Sequence, residues 1–144
     1  MRRLRIQGCV AVMVFTALGG CGWHRDTGAS NDLLALKAPA RELTKIIEAQ
    51  GGAAITGESL RPCTDDGPAN VFFSVDLADS DFDEFLDGLS QTARHDGWRK
   101  SSESVDLVRE FDHITYQLTV YAPSASPSDP VTVQARMLDE TTCN

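Results

Sequence analysis

The sequence predicts an α+β fold: two helices packed on one face of an antiparallel sheet of about five strands, in the order α-β-β-α-β-β-β. Three observations carry that expectation. Apolar residues recur at helical spacing in two segments, Leu43-Ile46-Ile47 and Phe82-Phe85-Leu86-Leu89-Ala93. They alternate with polar residues over 71–77, 114–121 and 131–137, the period of a half-buried strand. Consecutive strands in the last third are separated by turns and loops with no helical pattern between them, which suits hairpins and an antiparallel sheet.

Each element has its local reason. Residues 22–32 are rich in Gly, Ser, Asn and Asp and show no periodic apolar face, so residues 21–32 read as a flexible tether. The folded domain is expected over 33–144. Pro39 suits a first helical turn, where its missing N–H is no loss, and Gly51-Gly52 ends that helix, placing it at about 39–50. A weak strand follows at 53–60, closed by Arg61-Pro62-Cys63, and 64–68 has turn chemistry. Beyond the 71–77 strand, Ser80 is the expected N-cap, with Asp83 completing a capping box, and Gly97 stops the second helix. Residues 98–101 and 105–111 read as extended but irregular. The Ser- and Pro-rich stretch 123–130 is a surface loop between the last two strands.

The N-terminus is a different kind of segment. Arg2, Arg3 and Arg5 precede an apolar run from Cys9 to Leu18, and every acidic residue lies beyond position 20. A basic start, a short apolar stretch and small residues are the parts of a secretory signal, expected here over 1–20. The ten residues from Cys9 to Leu18 make ~15 Å of helix against a hydrocarbon core of ~30 Å, too short to span comfortably. An uncleaved anchor is the alternative; in both cases the arginines stay cytoplasmic and the remainder is exported.

Leu18-Gly19-Gly20-Cys21 then resembles the lipobox of bacterial lipoproteins. The resemblance implies that Cys21 receives a diacylglyceryl group on its sulfur and becomes the new N-terminus. Two acyl chains anchor stably where one holds only marginally, which fits that chemistry. The domain would thereby sit on the extracytoplasmic side of the cell membrane, or on the periplasmic side of an outer membrane where a cell has one.

Charge narrows the partners. Setting aside the three N-terminal arginines leaves ten basic residues against 21 acidic, a net charge of −11. Such a surface repels phosphate backbones, so no nucleic-acid partner is expected. Cys63 and Cys143 are the cysteines left once Cys9 is removed and Cys21 is lipidated. An exported compartment permits a disulfide between them.

Few residues look chemical. Asp76, Asp79, Asp81, Asp83, Glu84 and Asp87 are clustered, and Asp79-Ser-Asp-Phe-Asp83 begins like an EF-hand loop. Glu84 stands where that loop needs glycine, and Ser90 where it needs the bidentate glutamate. Acidic residues in a first helical turn complement the helix's positive end, which explains the cluster without a metal. His24, His95 and His113 show no metal-ligand spacing, so neither a metal nor a cofactor is expected. Asp112-His113 supplies an orienter and a base by type, but no nucleophile elbow accompanies it. Tyr116 belongs to the inward set of its strand, Tyr121 to the outward set, and Trp98 to the corner after Gly97.

The exported portion also resembles small lipoproteins of actinobacteria, through "GW" after the second helix, "HITYQLTVY" and "VTVQARMLDETTC". That resemblance brings no activity with it. The sequence therefore predicts a membrane-anchored envelope lipoprotein whose domain is non-enzymatic and binds an envelope protein or a small ligand. The alternatives are a carrier of lipid or another hydrophobic ligand, which needs a cavity between helices and sheet, and an envelope hydrolase using His113.

Overall fold

A computed structural model describes residues 27–78, 81–101 and 106–138. They form three helices and a six-stranded, wholly antiparallel sheet. The helices are α1 (Thr27–Ala35), α2 (Lys37–Glu48) and α3 (Phe82–His95); the strands are β1 (Ala53–Arg61), β2 (Asn70–Leu77), β3 (Arg99–Lys100), β4 (Leu107–Phe111), β5 (Ile114–Tyr121) and β6 (Val131–Met137). Across the sheet the order is β1-β2-β6-β5-β4-β3. The last strand inserts between β2 and β5, so β6 pairs with both.

Alternation decides which side is the core. Val71, Phe73 and Val75 of β2, Val131, Val133, Ala135 and Met137 of β6, and Tyr116 and Leu118 of β5 point to one face and are buried. Against that face lie the apolar stripes of α2 (Leu43, Ile46, Ile47) and α3 (Phe85, Leu89, Ala93). The expected α+β architecture is present, with corrections in detail. There are six strands instead of about five, because the irregular stretch after α3 divides into β3 and β4.

The tether is shorter than expected. Residues 27–32, assigned to flexible chain, are the first part of α1. Their intrinsic propensity is poor, but tertiary contacts close to its C-terminal end outweigh it. The Asp32 carboxylate accepts the Cys63 backbone N–H at 3.3 Å, and the Ala35 carbonyl accepts the Tyr116 hydroxyl at 3.2 Å. Leu36, in the joint between α1 and α2, is fully buried.

The cap of α3 also falls one residue later than Ser80, which lies outside the described residues. Asp81 is extended and its carboxylate accepts the Asp83 N–H at 3.3 Å. At the other end the Gly97 N–H bonds the Arg94 carbonyl and the Trp98 N–H bonds the Ala93 carbonyl. That pair of bonds is a Schellman motif, and Gly97 takes the positive φ (+98°) it requires. Trp98 is thereby turned into the core, edge-on to Phe111, which is in turn edge-on to Tyr116.

Candidate functional site

Because both long helices occupy one face, the other face of the sheet has no helix over it among the described residues. Its side chains are the outward set of each strand: Asn70, Phe72 and Ser74 of β2, Thr132, Gln134 and Arg136 of β6, and Thr115, Gln117, Thr119 and Tyr121 of β5. Polar residues dominate, and two aromatics interrupt them. Tyr121 is 49% exposed and its hydroxyl donates to Gln134 Oε1 at 2.8 Å. The Arg61 guanidinium lies 4.8 Å from the centroid of the Phe72 ring. Tyr121 is thus on the open face, as its strand position predicts, and Tyr116 in the core.

One register row crosses the whole of this face. Arg61 pairs with Asn70, Asn70 with Arg136, Arg136 with Gln117, Gln117 with Val108, and Val108 with Arg99. Neighbouring strands are ~4.8 Å apart, so the row is ~24 Å long and carries an arginine at each end and one between. All three arginines are exposed. Asn70 Nδ2 donates to the Pro68 carbonyl, while its Oδ1 is buried and accepts nothing. Sequence reasoning missed this row. Period 2 places Arg136 outward, but the alignment of Arg61, Arg99 and Arg136 exists only through the strand order.

The helix side has a different feature. An open groove of about 620 Å³ runs between α3 and strands β4 and β5. Leu86, Leu89, Leu107, Leu118 and Val120 form its apolar wall and Arg94 stands at its rim.

The residues singled out for chemistry are dispersed. Asp112 and His113 occupy the two positive-φ positions (+49° and +68°) of the turn joining β4 to β5, the backbone that a two-residue type I′ hairpin demands. The His113 side chain is 98% exposed, with Glu110 at 3.5 Å. An imidazole so placed has no low-dielectric wall to orient it. His95 ends α3, exposed, beside Asp96 at 3.3 Å. Asp81, Asp83, Glu84 and Asp87 follow the N-terminus of α3, and among the described residues no three His, Cys, Asp or Glu converge as a metal site. Cys63 lies just past β1, half-buried against the core. Cys21, His24, Asp79 and Cys143 lie outside the described residues.

Among the described residues no helix is long and apolar enough to cross a membrane. Comparison with known protein families, curated proteins and solved structures finds no match for this chain.

Proposed function

We propose that this protein is a lipid-anchored accessory protein of the cell envelope, held by Cys21, whose open sheet face binds a partner protein close to the membrane without catalysing a reaction. The observation that carries the binding half is the face without a helix over it: a broad, hydrogen-bonding surface with exposed Tyr121 and arginines and a half-buried Phe72, backed by a packed helical layer. The anchoring half rests on the apolar run ending in Leu18-Gly19-Gly20-Cys21. A two-chain anchor confines the domain to a thin layer and raises its effective concentration toward membrane partners, so a flat surface of modest affinity suffices.

The test combines location and contact. Full-length protein made in a bacterial host should enter the detergent phase of a cloud-point extraction and carry diacylglyceryl mass, and Cys21→Ala should lose both. A photo-reactive residue at Thr119, on the open face, should cross-link a discrete envelope protein, whereas one at the exposed Glu48 of α2 should not. Capture should fall when Cys21 is replaced. Soluble, unmodified protein would sink the anchor; equal capture from both positions would sink the face.

The groove beside α3 favours a second reading, the carrier of a hydrophobic ligand. Its apolar wall is of the right size for a drug-sized molecule. Lipid co-purifying with the protein, and displaced by Leu118→Asn, would decide for it.

A further inference from the structure

We infer that the row Arg61–Asn70–Arg136–Gln117–Val108–Arg99 recognises an acidic, extended segment of the partner protein, its carboxylates taken by the three guanidiniums. This deepens the reading of the open face as the binding surface and names the chemistry of what binds there.

The first argument is unspent charge. The domain carries an acidic excess, yet no carboxylate lies within ion-pair distance of Arg61, Arg99 or Arg136 among the described residues. On the helical side Arg109 donates to Glu42 of α2 at 2.7 Å, while Arg41 and Arg94 are unpaired too among the described residues; what sets the row apart is that its three arginines stand in one register line. Exposed arginines without a carboxylate keep their planar donor forks available, and such a fork takes a carboxylate bidentately.

Spacing is the second argument. Arg61 and Arg136 are two strands apart, ~10 Å, and Arg136 and Arg99 three strands apart, ~14 Å. An extended peptide advances ~3.4 Å per residue and turns every second side chain to the same face, so acidic residues at even spacings face the row together, and the long arginine side chains take up the few ångströms of mismatch.

A broad anionic surface such as a bilayer fits less well. Asp65 and Asp66 follow β1, and Glu110 and Asp112 end the β4 side, so carboxylates flank the row at the same end of the sheet. A wide negative plane meets those acids together with the arginines, whereas a single strand lying along the row passes beside them.

The experiment uses the full chain in neutral detergent micelles, titrated calorimetrically at low salt with oligoglutamate of about ten residues, long enough to span the row. Binding should weaken with added salt and fall by about tenfold or more in the triple variant R61Q/R99Q/R136Q. The variant K37Q/R41Q/K45Q removes the same charge from exposed positions of the helical layer and should bind as the parent does. Equal weakening in both variants would show diffuse attraction and overturn the assignment. So would failure of oligoglutamate to bind, or tighter binding of phosphatidylglycerol vesicles or of a polyuronate chain. Peptide binding needs no lipid, so Cys21→Ala should leave it unchanged. Lost anchoring with intact peptide binding therefore counts against the lipoprotein reading alone, and the reverse against the arginine row alone.

Discussion

Burial holds the Tyr116 hydroxyl in its neutral form, pushing its pKa from about 10 up to about 12, with the charges of Asp112 and Asp32 adding to the effect. The sign follows from the proton. Below pH 10 the folded and unfolded chains both keep it, and the residue's contribution to stability is present in full. Between pH 10 and about 12 the unfolded chain gives it up while the folded chain does not, so that contribution is lost as pH rises. Two pH units correspond to at most about 3 kcal/mol. Tyr116→Phe removes the titration and also the hydrogen bond to the Ala35 carbonyl, which stabilises by about 1 kcal/mol. The variant should be less stable than the parent at neutral pH and show a shallower decline in denaturant midpoint above pH 10. Parallel alkaline limbs would place the sensitive group elsewhere.

At the scale of elements, the end of α3 is the junction on which the sandwich turns. Gly97 has φ of +98°, and a Cβ built there would meet Arg109 only at 3.8 Å, ordinary contact. The cost of Gly97→Ala is therefore backbone strain rather than collision, about 1–2 kcal/mol. Because the following residue is the buried Trp98, the same strain should shift tryptophan fluorescence together with the melting temperature. An unchanged spectrum and midpoint would mean that the Schellman turn is not what seats Trp98. Close to the same end, Gln50 joins α2 to α3: its side-chain amide donates to the Ile46 carbonyl at 2.8 Å and to Thr92 Oγ1 at 3.0 Å.

For the whole molecule, the strand order bears on the proposed Cys63–Cys143 disulfide. The first and last strands are not neighbours; β2 lies between them. Arg61, Asn70 and Arg136 nonetheless share one register row, so β1 and β6 end at the same edge of the sheet, ~10 Å apart. Cys143 is seven positions beyond Arg136, a contour of up to ~25 Å. The bond is within reach without moving a strand. Closing that loop would remove denatured-state entropy worth roughly 4 kcal/mol in the simple chain model. Non-reducing peptide mapping of protein from the exported compartment should show the cross-link, and reduction should lower the melting temperature. Quantitative alkylation of both thiols without reductant would overturn it.

What the sequence by itself determined was periodic and local. The alternation in 71–77, 114–121 and 131–137 and the stripes of the two amphipathic helices identified the elements and their buried faces, because solvent sorts side chains residue by residue. Gly97 marked the end of a helix because positive φ is a property of one residue. Other features were decided only by tertiary structure. The poor helix former α1 stands because Asp32 and Ala35 meet Cys63 and Tyr116, residues 31 and 81 positions away. The irregular stretch after α3 became two strands because pairing with β5, and of β3 with β4, selected them. The arginine row was invisible in one dimension: Arg61, Arg99 and Arg136 are remote in sequence, and only the insertion of β6 between β2 and β5 puts them in line on the face the helices leave open.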